Sequence, residues 1–243
     1  MTRPFRKRIA RAADTKKSPI VLALDPPANR RNLSEFAAKT IRVVEQHICA
    51  VKMNFHIILP LSASEISQIN KLLHSYGLQS IADIKLNDIE NTNEVAVEHL
   101  TRMGFDALIA NPFIGKGGLA AIAQKAHRSN VGVIALVYMS HPGAKEGFGL
   151  EVGGRGLYRE FLDRAAHARA DGVVVGAAQL DILTQMAKRL PVYSPGIGAQ
   201  GGDATRAVSS GADYLIIGRS IVESKQPDKV AKEIQNKILS VRK

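Results

Sequence analysis

Three charged residues stand at fixed spacing inside one apolar stretch of the chain. Residues 82–93 read ADIKLNDIENTN and carry Asp83, Lys85 and Asp88 as Asp-x-Lys-x-x-Asp. A lysine flanked by carboxylates stays protonated, because nearby negative charge favours the ammonium form. Such a lysine can donate a proton to a carbanion and stabilise its charge. The motif therefore favours proton transfer at carbon over Schiff-base chemistry, which needs a lysine of lowered pKa.

Two other interpretations of this motif stay open. The charges could form an ion-pair network that only shapes the fold. Asp83 and Asp88 could instead hold Mg²⁺, which binds carboxylate oxygens, although a lysine between two ligands disfavours a cation. The histidines are scattered without metal-ligand spacing, and His141 lacks the partners of a catalytic triad, so we interpret it as loop structure.

The elements that must position these charges alternate between short β-branched runs and amphipathic segments. Candidate strands cover residues 20–25, 48–55, 80–86, 107–111, 131–139, 172–176, 192–196 and 214–218. Apolar residues at three- and four-residue spacing predict helices that include 33–47, 63–76, 92–103, 180–189 and 228–241. Ser64 is the predicted N-cap of the second of these, and Gly77, Gly104 and Gly211 are predicted helix ends. Eight strand–helix repeats predict an α/β fold, a single-domain (β/α)₈ TIM barrel over residues 18–243, rather than an open doubly wound sheet.

Alternation along the strands sorts the polar residues by face. Asp83 and Lys85 share one face of the third strand, and the apolar residues beside them share the other. Because parallel strands covered by helices are apolar on the helix side, the charged pair should face the barrel axis. Lys52 in the second strand and Asp25 at the end of the first follow the same rule. We expect all four at the C-terminal mouth, where such barrels hold their active sites.

Glycine-rich segments follow the last two strands. Residues 194–203 read SPGIGAQGGD and residues 216–220 read IIGRS. Loops after strands seven and eight form the usual phosphate site of this barrel, and glycines let backbone N–H groups approach closely. Arg219 can bind phosphate oxygens bidentately, and Gln200 can donate an amide hydrogen bond. The alternative is a pair of tight turns beside a surface arginine.

A third loop, residues 140–156, holds six glycines and follows the fifth strand. Long loops in compact domains are often lids or binding loops. Ser140, at its base, could hydrogen-bond a heterocycle.

Composition limits the class of protein. The net charge is +11, and residues 1–17 hold seven Lys/Arg and one Asp. We interpret this basic N-terminal extension as a solvated tail or an exposed helix; the alternative is a nucleic-acid arm, which an aromatic content of 5% does not favour. The only cysteine, Cys49, lies in an apolar run and is predicted to be core. No apolar run is long enough to span a membrane and no signal-peptide pattern is present, so we expect a cytoplasmic protein.

Taken together, these motifs resemble the orotidine 5′-monophosphate decarboxylase family in its short archaeal-type form. The matching segments are LALDPP, AVKMNF, ADIKLNDIENTN, LVYMSHPGA, SPGIGAQGGD and IIGRSI. The resemblance implies removal of CO₂ from orotidine 5′-monophosphate to give UMP in pyrimidine biosynthesis, without metal or organic cofactor.

The resemblance also implies roles for individual residues. Lys85 would protonate C6 of the pyrimidine, Asp83 would lie against the substrate carboxylate, and Lys52 would hold the network, with Asp88 as the fourth charge. Asp88 and Thr92 would reach the neighbouring subunit's site in a homodimer. The substrate-binding residues that it implies are Asp25, Lys52, Asp88, Ile89, Thr92, Ser140, Gln200, Gly218 and Arg219.

Two rival functions remain. One is a Mg²⁺-dependent sugar-phosphate decarboxylase or aldolase of the same suprafamily, which shares the Asp-x-Lys-x-x-Asp motif. The other is a barrel that binds nucleic acid through residues 1–17. Loss of activity in EDTA would support the first, and RNA binding that weakens steeply with salt would support the second.

Overall fold

Eight parallel strands of this α/β chain close into a barrel. The computed structural model describes residues 3–27, 29–186, 189–198 and 200–241. The strands in chain order are β1 (Ile20–Ala23), β2 (Ala50–Met53), β3 (Gln79–Leu86), β4 (Ala107–Ala110), β5 (Gly132–Tyr138), β6 (Glu151–Val152), β7 (Arg155–Gly156), β8 (Gly172–Val175), β9 (Val192–Pro195) and β10 (Tyr214–Ile217). The barrel order is β1-β10-β9-β8-β5-β4-β3-β2, and β2 pairs again with β1. The predicted TIM barrel is confirmed; β6 and β7 form a separate antiparallel hairpin.

Helices surround the barrel. They are α1 (Phe5–Lys16), α2 (Leu33–Val44), α3 (Phe55–Ile58), α4 (Ala63–Ser75), α5 (Glu90–Arg102), α6 (Gly115–Arg128), α7 (Leu157–His167), α8 (Leu180–Met186), α9 (Ala204–Ser209), α10 (Arg219–Val222) and α11 (Pro227–Val241). The predicted helix 33–47 ends as a separate 3₁₀ turn, Glu45–His47. Residues 187 and 188 of the predicted helix 180–189 lie outside the described residues.

The ends of α4 show how local sequence sets helix boundaries. The prediction of Ser64 as N-cap is wrong, because Ser62 caps the helix. The Ser62 hydroxyl accepts from the Glu65 N–H at 3.3 Å, and the Glu65 carboxylate accepts from the Ser62 N–H at 2.9 Å. This reciprocal pair needs a Glu three residues after the cap, which only Ser62 has. Gly77, beyond the other end, has the left-handed φ of 73° that favours glycine.

Two apolar layers follow from strand alternation. Leu22 and Leu24 pack outward against the helices, whereas Val21 and Ala23 pack in the barrel interior. The same alternation holds in β2 and β3, where the interior layer includes Ala50 and Ile81. Since side chains two residues apart share a face, the next inward positions are Asp25, Lys52 and Asp83. The barrel interior thus changes from apolar to charged at its C-terminal end. Cys49 is buried in the interior layer, as predicted.

Helix α1 covers the opposite, N-terminal end of the barrel. Phe5, Ile9 and Ala12 are buried and belong to the interior layer. A Cβ built on Gly132, at the start of β5, would lie 2.4 Å from the Phe5 ring, so glycine makes room for this aromatic side chain. The interpretation of residues 1–17 as a solvated tail or exposed helix is therefore wrong for this face of the helix. The spacing of the three apolar residues places them on one side of the helix, where they exclude water from the N-terminal end of the barrel interior.

Arg8 connects α1 to the N-terminal ends of three barrel strands. Its guanidinium donates to Gln79 Oε1 at 2.9 Å and to Asp106 Oδ1 at 3.1 Å, and it also donates to the Asn130 carbonyl. These partners precede or begin β3, β4 and β5. The cations that remain exposed on this extension are Arg3, Arg6, Lys7, Arg11 and Lys17.

Candidate active site

A cavity of about 270 Å³ opens at the C-terminal ends of the barrel strands. Its apolar floor is formed by inward-facing strand residues, Ala23, Ile109, Leu136, Val174 and Ile216. Its polar lining comprises Asp25, Lys52, Asn54, Asp83, Lys85, Ser140, His141, Gln200 and Arg219. The structure thus brings together most of the residues that the sequence singled out. His141 also lines the cavity, which its interpretation as loop structure did not anticipate.

Asp83 lies between two lysines in the cavity wall. Lys52 Nζ is 2.7 Å from Asp83 Oδ2, and Lys85 Nζ is 2.8 Å from Asp83 Oδ1. Burial by itself would raise the pKa of Asp83, but the ammonium groups of Lys52 and Lys85 outweigh it and hold that pKa below its ordinary value. The Lys52 side chain is 7% exposed and that of Lys85 is 37% exposed. Lys52 is therefore the buried counter-charge, whereas Lys85 reaches the open part of the cavity.

The backbone at Lys85 departs from a regular strand. Its φ is 47°, in the left-handed region, and the pairing of β3 with β4 shifts register between Ala82 and Leu86. A side chain with a Cβ costs roughly 1–2 kcal/mol in this conformation. Bulges of this kind are common beside active sites, where they re-aim a side chain. Alternation predicted the barrel-facing position of Lys85, but not this conformation.

Asp88, Ile89 and Thr92 lie outside the cavity and are exposed. The expectation that Asp88 flanks Lys85 within the chain is wrong: among the described residues, no ion pair joins them. Asp88 follows the end of β3, and its Oδ1 accepts from the Ile89 N–H at 2.7 Å. Within one chain, Asp83 is therefore the carboxylate that pairs with Lys85.

Asp25 supplies an unsatisfied acceptor to the cavity. Its Oδ1 is buried and has no hydrogen-bond donor among the described residues. Buried polar atoms are normally paired, so an unpaired oxygen in a cavity wall is suited to a ligand hydroxyl. Gly218, on the neighbouring strand end, would bring a Cβ within 3.2 Å of the Ala23 carbonyl oxygen and 3.7 Å of Asp25 Oδ2. Glycine there keeps this wall accessible.

The glycine-rich loop after β9 meets the loop after β5 across the mouth. Gly196 has a φ of 96°, and a Cβ on it would lie 3.0 Å from both Gln200 Oε1 and Ser140 Cβ. Gln200 and Ser140 therefore approach each other over this glycine. Arg219 begins α10 and is exposed, and no carboxylate pairs with it in the part of the chain that the structure describes. Its charge is available to an anion. Ala199, in the same predicted segment, lies outside the described residues.

The long loop after β5 is more regular than its glycine content indicated. It contains a 3₁₀ turn at Pro142–Glu146 and the β6–β7 hairpin. The Phe148 ring packs 5.9 Å from the ring of Tyr138 and 6.0 Å from that of Phe161. The loop is thus anchored beside the cavity by aromatic contacts.

Two features are absent from the described residues. No helix among them is long and apolar enough to cross a membrane. No group of three or more His, Cys, Asp and Glu among them could hold a metal ion.

Comparison with known proteins adds a family match. The family model described as "Orotidine 5′-phosphate decarboxylase / HUMPS family" matches residues 18–234. Orotidine 5′-phosphate decarboxylase of Pyrococcus abyssi is 34% identical over 223 residues, which cover 90% of this chain and 98% of that protein.

Solved structures agree with this match. The crystal structure of orotidine 5′-phosphate decarboxylase from Pyrococcus horikoshii OT3 is 33% identical, with a TM-score of 0.75 over 90% of this chain and 99% of that one. The Methanocaldococcus jannaschii enzyme complexed with the inhibitor BMP is 26% identical, with a TM-score of 0.78 over 90% and 97%.

Proposed function

The chain belongs to the orotidine 5′-phosphate decarboxylase / HUMPS family. We therefore propose that it is a carboxy-lyase that converts orotidine 5′-monophosphate to UMP in pyrimidine biosynthesis. The observation that carries the proposal is the Lys52–Asp83–Lys85 array at the mouth of the barrel. It places a buried negative charge and a partly exposed proton donor side by side over an apolar floor.

The proposed chemistry uses Lys85 as the acid. The bond between C6 and the carboxylate breaks, CO₂ leaves, and the electron pair remains on C6. Lys85 then transfers a proton from Nζ to C6, and its partly exposed side chain regains a proton from solvent. The ammonium group also stabilises the developing carbanion, because charge interactions are strong where water is excluded. No metal or organic cofactor takes part in this scheme.

Asp83 has two roles in the proposal. It holds Lys52 and Lys85 in place through both carboxylate oxygens. It also lies where the substrate carboxylate would approach Lys85, and repulsion there would raise the energy of the bound ground state. Departure of CO₂ removes this repulsion, while the attraction between Lys85 and the carbanion grows.

The remaining lining residues are proposed to hold the ends of the nucleotide. Asp25 Oδ1 and Lys52 would bind ribose hydroxyls, and Ser140 would bind the pyrimidine amide edge. The phosphate would lie between the last two barrel loops, against Gln200, Gly218 and Arg219. Binding energy from this remote phosphate can be used to assemble the site around the reacting carbon.

We also propose a cytoplasmic homodimer in which each subunit completes its neighbour's site. The motif segment that leaves β3 carries Asp88, Ile89 and Thr92 on the surface, and Ile89 is 72% exposed. Other exposed apolar side chains include Phe55 and Leu59, in the connection after the adjacent β2. Exposed apolar patches rimmed by polar residues can mark protein interfaces. By the family resemblance, Asp88, Ile89 and Thr92 would then reach the partner's substrate.

The test is an absorbance assay on orotidine 5′-monophosphate, with and without EDTA. We expect turnover that EDTA leaves unchanged and that Lys85→Ala abolishes, while circular dichroism shows an intact fold. Wild-type-like turnover by Lys85→Ala would refute the mechanism. Loss of activity in EDTA would support the Mg²⁺-dependent sugar-phosphate rival instead.

A further inference from the structure

Asn93 is buried at the edge of an exposed segment and clamps the backbone of Asp88. The residue is only 1% exposed. Its Oδ1 accepts from the Asp88 N–H at 3.1 Å, and its Nδ2 donates to the Asp88 carbonyl oxygen. One amide therefore binds both main-chain polar groups of a residue five positions earlier.

These two hydrogen bonds lie at the start of α5, where a side-chain helix cap is normally found. The N-cap of α5 is Ile89, whose side chain cannot accept a hydrogen bond. Asn93, in the first turn, instead fixes the chain that enters the helix. Because burying an amide without partners costs free energy, Asn93 strongly favours the one backbone geometry that satisfies it.

The clamp extends to the Asp88 side chain. With the peptides around Asp88 fixed, the Ile89 N–H holds Asp88 Oδ1 at 2.7 Å. One carboxylate oxygen is thereby oriented, and the residue remains exposed to a partner. Thr92 follows within the same first turn of α5.

We infer that Asn93 is a positioning residue, which holds Asp88 in the geometry needed by the neighbouring subunit's active site. This inference rests on the proposed function and on the proposed sharing of sites. A positioning role differs from a role in folding. Substitution of Asn93 should lower activity at the partner's site, not at the site of the subunit that carries the substitution. A misplacement of about 1 Å can cost on the order of 100-fold in rate.

The test uses heterodimers with one defect in each subunit. Asn93→Ala alone should lower kcat on orotidine 5′-monophosphate by about 10- to 100-fold. A heterodimer of one Asn93→Ala subunit and one Lys85→Ala subunit can be isolated with two different affinity tags. In one of its two sites, the intact Lys85 of the first subunit meets the intact Asn93–Asp88 segment of the second. We expect this heterodimer to regain about half of the wild-type activity, since one of two symmetric sites is restored.

Asp88→Ala paired with Lys85→Ala calibrates the experiment. If that heterodimer regains no activity, the proposed sharing of sites fails, whatever Asn93 does. If it regains activity and the Asn93→Ala heterodimer does not, the positioning role of Asn93 is overturned. Asn93→Ala homodimers with wild-type kcat would overturn it as well.

Asn70 provides a matched control for lost folding stability. It is also 1% exposed, and its Nδ2 donates to the Met103 carbonyl oxygen at 2.8 Å, after the end of α5 that is remote from Asp88. Asn70→Ala should lower the free energy of unfolding while kcat stays at the wild-type value. A kcat loss for Asn70→Ala equal to that for Asn93→Ala would assign the effect to general destabilisation and overturn the inference.

Discussion

Replacing Lys85 by alanine and by glycine separates the chemistry of this residue from its backbone conformation. Both substitutions remove the ammonium group of Lys85, and neither changes Lys52 or Asp83, whose Nζ and Oδ2 atoms are 2.7 Å apart. We therefore expect both variants to lack decarboxylase activity to the same extent. They differ only in the Cβ, which alanine keeps in a backbone with a φ of 47°.

The size of the difference follows from two opposing terms. A residue with a Cβ loses roughly 1–2 kcal/mol in the left-handed conformation. Glycine avoids this cost, but its more flexible unfolded chain loses about 0.5–1 kcal/mol more on folding. The glycine variant should thus be more stable than the alanine variant by about 0.75 kcal/mol, the difference between the midpoints of these two ranges.

Urea unfolding followed by circular dichroism measures this difference, provided that both variants share one m value. Lys71 is a suitable control because it is exposed within α4. There the order should reverse, with glycine less stable than alanine by about 1 kcal/mol, because glycine disfavours helix interiors. An alanine variant at position 85 that is as stable as the glycine variant, or more stable, would refute the argument that the backbone of Lys85 is strained.

Three further predictions address the ends of the site and of the barrel. Arg219→Ala should lower kcat/KM for orotidine 5′-monophosphate but not for the phosphate-free nucleoside; an equal loss on both would remove Arg219 from phosphate binding. Because the folded-state pKa of Asp83 lies below its ordinary 3.8, its stabilising charge is present above that pH and is lost as pH falls through the folded value. The stability difference between wild type and Asp83→Asn should therefore narrow in acid, and a gap independent of pH would contradict this. Phe5→Ala should lower the free energy of unfolding by about 3–5 kcal/mol with kcat unchanged, and a parallel fall in kcat would show that the two ends of the barrel are coupled.

The mouth of the barrel was predictable because strand alternation is a local rule. Asp25, Lys52 and Asp83 continue an inward-facing series of apolar residues, and the sequence shows that series directly. The Ser62 capping box is also visible in the sequence, as a Glu three residues after a Ser, a pattern that Ser64 lacks.

Other features depend on contacts between distant segments. The left-handed backbone of Lys85 arises where β3 shifts its register against β4, which no local pattern reports. The side chain of Phe5 is buried because Gly132 leaves space for it, and the two are far apart in sequence. The many basic residues of α1 obscure its apolar stripe, which consists of only Phe5, Ile9 and Ala12.

The contacts of α1 limit how early this helix can pack while the chain is being synthesised. Arg8 contacts Gln79, Asp106 and Asn130, at separations of 71, 98 and 122 residues along the chain. The ribosome makes α1 before any of these partners, so Phe5 and Ile9 cannot be buried in the barrel until β5 has emerged. Contacts between such distant segments form slowly, and apolar surface that stays exposed in the meantime can associate with other chains. Net charge favours solubility, so the exposed basic residues beside that apolar stripe would oppose such association.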